Sequence, residues 1–187
     1  MKHIFAGLAA LTLAACGNAG QTTNTAADLK VAGAGDGSAV CPASEVITDV
    51  AEYRNDHPEA QDNALVWHVE NSKREGVVTT ESGLQYQVIK KGAANGPSPS
   101  GSQVIKVNYH GFFPDGKIFD SSYNRGAPSE FPANAVIQGW IEGLGLMKPC
   151  DAWTFYIPGK LAYGPRGRPG IPPNATLGFH VQLIEIK

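Results

Sequence analysis

Eleven of the thirteen prolines lie beyond residue 96. Proline removes a backbone donor and clashes with the preceding helical turn, so it is confined to helix starts, strand edges and turns. The second half of the chain therefore cannot consist of long helices and must be built from short elements joined by many turns. With 22 glycines added, the two turn-forming residues exceed ordinary usage without reaching the low-complexity range. The chain is 42% hydrophobic and 17% charged, enough apolar material for a core. Its net charge of -2 provides no basic excess for gripping nucleic acid.

The N-terminus is organised differently. Met1, Lys2 and His3 form a short basic start, and Ile4 to Ala15 is an apolar run too short to span a bilayer as a helix, in keeping with a secretory signal. Leu13-Ala14-Ala15-Cys16 resembles a bacterial lipobox, which implies cleavage after residue 15 and diacylation of Cys16. Gly17 after the cysteine is similar to lipoproteins sent on to an outer membrane, given a Gram-negative host. Residues 17–43 are largely small and polar and read as a flexible tether. Export also permits Cys41 and Cys150 to pair, although two separate thiols are the simpler expectation from sequence.

Residues 44–76 carry helical signals. Val46, Ile47, Val50 and Tyr53 follow the N-cap candidate Ser44, and Pro58 suits the first turn of a second helix. In that second helix Leu65, Val66 and Val69 form an apolar stripe with Trp67 to one side. The stripe is expected to dock on the following domain rather than to form a dimer seam. From residue 77 to 187 the pattern is one of strands. Tyr86 to Lys90 and Val104 to Phe112 are strand-like, Pro114-Asp115-Gly116 is a hairpin turn, and Phe179, Val181 and Leu183 alternate with His180 and Gln182. Val136 to Met147 reads as one short helix, weakened by Gly139, Gly143 and Gly145. The fold class is α+β, a small antiparallel sheet covered by one helix.

No metal-binding, nucleophile-elbow or redox motif is present in the sequence, and no metal or other cofactor is expected. What accumulates instead is aromatic and aliphatic: Tyr109, Phe119, Ile137, Trp140, Tyr163, Ile171 and Phe179. Each alone would be assigned to a core, but Tyr109, Trp140 and Tyr163 carry polar tips that suit a pocket wall equally well.

Three segments, VNYHGFFPDGKIFDSS (107–122), VIQGWIEGLGLM (136–147) and LAYGPRGRPGIPPNATLGFHVQL (161–183), resemble the signatures of FKBP-type peptidyl-prolyl isomerases, in family order and spacing. Upstream, NSKREGVVTTESGLQYQVIKKG (71–92) is similar to the lead-in of the secreted branch typified by the macrophage infectivity potentiator. The resemblance implies a twisted antiparallel sheet wrapped on one helix and isomerisation of Xaa-Pro bonds in exported or unfolded proteins, without a covalent intermediate. A proline-binding chaperone with little turnover is the alternative. It further implies Trp140 as the pocket floor, Tyr109, Phe119 and Phe179 as walls, and Asp120 as the carboxylate on the polar side. The Ile137 N–H and the Tyr163 hydroxyl would hold substrate carbonyls. Val136, Arg168 and the loop residue Ile171 would contact substrate.

The chain departs from that family pattern in three places. Ser129 stands where many relatives place another aromatic wall, which should widen or wet that side and leave macrolide binding weak. Arg168, with Arg166, makes the overhanging loop basic; a solvated charged loop is the simpler expectation, ahead of a preference for acidic clients, and Arg125 is placed on a different loop. Cys150 occupies a turn position where glycine is common in relatives, which adds weight to a Cys41–Cys150 bridge. The short helical region before the domain implies a monomer or weak dimer, anchored through Cys16 to a membrane, with an outer membrane facing the periplasm as the expected site.

Overall fold

The computed structural model describes residues 39–53, 64–92 and 96–187. The expected signal peptide, Cys16, the tether up to residue 38 and the start of the second expected helix lie outside these residues. In chain order the elements are β1 (Ala39–Val40), two 3-10 turns (Ala43–Glu45 and Val50–Glu52), α1 (Ala64–Ser72), β2 (Val77–Thr79), β3 (Gln85–Lys90), β4 (Val104–Phe112), β5 (Ile118–Ser121), α2 (Ser122–Arg125), β6 (Ser129–Pro132), α3 (Gln138–Leu146), β7 (Ala152–Ile157), two further 3-10 turns (Gly159–Leu161 and Gly164–Arg166) and β8 (Leu177–Ile186). The strands form one antiparallel sheet in the order β2-β3-β7-β8-β4-β5, with β1 paired to β8 and β6 to β4.

Alternation along β8 divides its residues between the two faces of the sheet. One cross-strand row aligns Tyr109, Val181 and Trp153, and the next aligns Gly111, Phe179 and Phe155. These belong to the face covered by α3, where the main core also takes in Trp140, Leu144, Ile157 and Leu183. The glycines that weaken α3 as an isolated helix are what let it lie close to the sheet. A Cβ at Gly139 would come within 2.5 Å of Ile157, and one at Gly143 within 2.6 Å of the Phe155 ring. Each glycine costs about 1 kcal/mol of helix propensity, which the packing it permits offsets.

The opposite face is polar in sequence and yet buried. Asn108, Thr154, His180 and Gln182 are each below a tenth exposed, because residues 41–53 cross over them as a strap. The Ile47 N–H donates to Gln182 Oε1 (2.7 Å), Asn108 Nδ2 donates to the Ile47 carbonyl (3.2 Å), and Gln182 Nε2 donates to the Glu45 carbonyl (2.9 Å). Tyr53 stacks on His180 with ring centroids 4.7 Å apart. These bonds explain why the helix expected after Ser44 is replaced by two 3-10 turns. Peptide groups that a helix would pair internally are taken by side chains of the sheet. The strap is fixed at its start, where the Cys41 N–H donates to the Ile184 carbonyl and Cys41 is bridged to Cys150 with Cα atoms 5.0 Å apart. The expectation of two separate thiols is therefore corrected, since β1 pairing on β8 brings the N-terminal cysteine beside the turn that leads into β7. Residues 39 and 40, inside the stretch expected to be tether, form β1 against β8.

Helix α1 also docks differently from its pattern. Leu65, Val66 and Val69 are 72%, 42% and 47% exposed, whereas Trp67 is fully buried and meets Tyr156 edge-on at 5.5 Å. Asn71, on the buried side, donates to Gln85 Oε1 at 2.8 Å. The indole gains an edge-on ring contact with Tyr156 beyond its area burial, and Trp67 and Asn71, four residues apart, share the helix face that docks.

Candidate active site

A cavity of about 440 Å³ opens between the sheet, α3 and the loop joining β7 to β8. It is lined by Tyr109 of β4, Phe119 and Asp120 of β5, Phe131 of β6, Ala135 to Ile137 before α3, Trp140, Tyr163, Arg168 and Phe179. Every expected site residue of the folded region except Ile171 and the two bridged cysteines is thus in the lining. Ile171 is 4% exposed and belongs to the core, where it anchors the overhanging loop.

The Pro114-Asp115-Gly116 turn returns the chain so that β5 pairs back on β4. Gly116 takes a φ of 81°, and the Lys117 N–H donates to Asp115 Oδ1 at 2.8 Å. The register opposes Asp120 to Gly111. A Cβ at Gly111 would sit 2.7 Å from Phe119 Cζ and 3.0 Å from Phe179, so the absent side chain is the space in which the two walls meet. Their rings are T-shaped with centroids 5.3 Å apart. Trp140 lies edge-on to Tyr109 at 5.4 Å, to Phe179 at 5.2 Å and to Phe131 at 6.2 Å. Its indole N–H has no hydrogen-bond partner among the described residues.

The polar side is a closed network. The Tyr109 hydroxyl donates to Asp120 Oδ2 at 2.6 Å, and Arg125 Nη1 donates to Asp120 Oδ1. Arg125 Nη2 reaches the Tyr109 hydroxyl at 2.8 Å and Ser129 Oγ at 3.0 Å, and its guanidinium lies 5.3 Å from the Tyr109 ring centroid. Gly126, in the left-handed conformation at φ 74°, ends α2 and brings Arg125 to this rim. Arg125 lies on a different loop from Arg168 and still reaches this rim, where its guanidinium stands beside Ser129 and adds a polar, partly exposed group to that side. The cap on α2 is Ser121, whose Oγ accepts from the Asn124 N–H, so Asp120 is left to the pocket.

Burial acts to raise the Asp120 carboxyl, but the hydrogen bonds from Tyr109 and Arg125, with the Arg125 charge, outweigh it and hold the group below the ordinary aspartate value. Burial, followed by the bond to Asp120, raises the Tyr109 phenol. A carboxyl depressed in the folded state contributes stability above its unfolded value and loses it as pH falls through the folded one. Asp120 is partly exposed, so the contribution is small. NMR titration of the Asp120 carboxyl carbon should give a midpoint below that of an unstructured aspartate, and Arg125→Gln should move it upward. An unchanged midpoint in Arg125→Gln would show that the ion pair does not govern this group.

Phe131, Ala135 and Arg125 were not legible as site residues. Phe131 is two residues from Ser129, on the same face of β6, so strand periodicity was the available signal. Among the described residues no group of three or more His, Cys, Asp or Glu side chains could hold a metal ion.

Residues 96–184 match the family model of FKBP-type peptidyl-prolyl cis-trans isomerases, and residues 43–88 match the model of the domain amino-terminal to it. The crystal structure of a peptidyl-prolyl cis-trans isomerase from Pseudomonas syringae is 31% identical, with a TM-score of 0.61, and the match covers 66% of this chain and 90% of that one. The chain belongs to the FKBP-type peptidyl-prolyl isomerase family. Relatives include the 22 kDa FKBP-type isomerase of Escherichia coli, 52% identical over 63% of this chain and 56% of the relative, and FkpA of Aeromonas hydrophila, 46% identical over 73% and 50%. The chain spans about half the length of the curated relatives it matches. In this FKBP the segment matching the catalytic-domain model contains every residue of the cavity lining, while the amino-terminal match takes in the strap from residue 43 and α1.

Proposed function

We propose that the chain is a peptidyl-prolyl cis-trans isomerase acting on Xaa-Pro bonds of exported proteins, held at a membrane by a lipid on Cys16. The observation that carries this reading is the convergence of Tyr109, Phe119, Trp140 and Phe179 on one cavity whose neighbouring carboxylate is already engaged by Tyr109 and Arg125. Twisting an ordinary peptide bond costs roughly 18–20 kcal/mol, and the twisted amide has lost much of its dipole. An apolar cavity therefore disfavours the planar ground state relative to the twisted state, which is differential binding.

In this reading the proline ring rests on the Trp140 indole between Phe119 and Phe179. The Ile137 N–H, at the start of α3, and the Tyr163 hydroxyl hold flanking carbonyls so that rotation is confined to one bond. Asp120 acts as neither base nor nucleophile, because its oxygens accept from Tyr109 and Arg125 and its low proton affinity leaves it ionised. Its role is to orient Tyr109 and close the polar side. Uncatalysed interconversion takes about 10–100 s at room temperature. A tetrapeptide isomerisation assay should show a clear concentration-dependent acceleration over that background. A rate equal to the uncatalysed one, with suppression of client aggregation retained, would overturn the isomerase reading in favour of a proline-binding chaperone.

A further inference from the structure

We propose that Arg168 makes this pocket selective for prolyl segments bearing a carboxylate beside the isomerising bond; the inference rests on the isomerase reading above. A solvated loop charge, the simpler expectation from sequence, would be free to point anywhere. Arg168 is exposed, but its side chain belongs to the cavity lining, and its guanidinium carbon sits 4.5 Å from the centroid of the Tyr163 ring, in the range of a cation–π contact.

Its backbone is fixed as well. The Arg168 N–H donates to the Ile171 carbonyl at 3.0 Å and the Ile171 N–H donates back at 2.8 Å. Pro169 and Gly170 (φ 83°) form the tight turn between them. Ile171, 4% exposed, pins this turn to the core, so the cation is presented on a rigid support.

Charge balance around the cavity favours the same conclusion. Asp120 and Arg168 are the charged side chains in the lining, and Asp120 is paired with Arg125. Arg168 forms no ion pair with any described residue; the neighbouring Arg166, exposed like Arg168 and of the same sign, is not in the lining. A peptide entering between the apolar walls therefore meets a fixed positive charge at Tyr163, and low-dielectric walls concentrate that field. A glutamate or aspartate flanking the proline is favoured there, and a lysine is opposed.

The test is a pair of peptide series carrying Glu, Gln or Lys immediately before, or immediately after, the proline. In the full protein at low salt, kcat/KM for the Glu peptide should exceed that for the Gln peptide by about fivefold in at least one series, the size set by a charge pair near 4 Å in water, and that for the Lys peptide by about thirtyfold, because attraction is replaced by repulsion. The preference should fade toward unity near 1 M salt, where the screening length is about 3 Å. Arg168→Gln should abolish the ratio and Arg168→Glu should invert it, while Arg166→Gln should change it less. If the Gln peptide is turned over but the Glu-to-Lys ratio is near one, or survives Arg168→Gln or high salt unchanged, the selectivity proposal fails alone. If no peptide is isomerised above background, the isomerase reading fails and takes this inference with it. The salt dependence needs only the wild-type protein, so the proposal stays testable without a folded variant.

Discussion

Cys41→Ala is expected to lower the unfolding free energy by about 4–5 kcal/mol, the chain-entropy value for a bridge closing a loop of about a hundred residues. The two cysteines are 109 residues apart in sequence, so the bridge restrains most of the folded domain in its unfolded state. It also holds the start of the strap, whose loss would leave Asn108, His180 and Gln182 facing water instead of their partners in residues 45–53. Cys150→Gly should cost about 1 kcal/mol less than Cys41→Ala. Cys150 takes a left-handed φ of 71°, a conformation that costs a side chain roughly 1–2 kcal/mol and glycine almost nothing. Urea unfolding of the oxidised protein, the reduced protein and both variants is the measurement. A change below about 1 kcal/mol on losing the bridge would show that β1 pairing and the strap hold the N-terminal segment by themselves.

Phe119→Ala should reduce kcat/KM by about tenfold to a hundredfold with little change in stability. The side chain is only partly buried, so folding gains less from it than from Trp140. A full aromatic contact is worth about 1.5–3 kcal/mol, and each 1.36 kcal/mol lost from the transition state is a factor of ten. Gly111→Ala reaches the same wall from behind, because the added methyl would press on Phe119 at 2.7 Å and on Phe179 at 3.0 Å. Its activity should fall even though no group that touches substrate has been changed. Steady-state isomerisation kinetics together with thermal unfolding would separate the two effects. Retention of wild-type kcat/KM in Phe119→Ala would remove this ring from the pocket role argued for it.

How far the sequence could be read depended on the range of the forces involved. The hairpin at Pro114-Asp115-Gly116 and the α3 segment were visible because turn chemistry and helical spacing act over a few residues. The aromatic lining was visible through the signature segments. Arg125 was not, because its part in the site depends on Gly126 ending α2 and on Tyr109, Asp120 and Ser129 arriving from three strands or their ends. The strap has the spacing of a helix without its structure for a related reason. Val46, Ile47, Val50 and Tyr53 have helical spacing, but the peptide groups between them find better partners in Gln182 and Asn108, more than 60 residues away. Leu65, Val66 and Val69 formed the more regular stripe, yet Trp67 docked, because helical periodicity shows that a face exists and not which face meets a partner.

The sequence by itself determined that the proline-rich half would be an antiparallel sheet covered by the helix at Val136 to Met147. It also determined, through the matched segments, which aromatic residues would belong together. Local conformational limits and a recognisable order of motifs suffice for that. Only the tertiary structure decided that Cys41 meets Cys150, that a polar sheet face is sealed by a strap, that Arg125 pairs with Asp120, and that the Arg168 guanidinium lies over the Tyr163 ring. Those outcomes depend on strand register and on where distant segments come to rest, which is settled by packing and hydrogen bonding between parts of the chain that no local pattern connects.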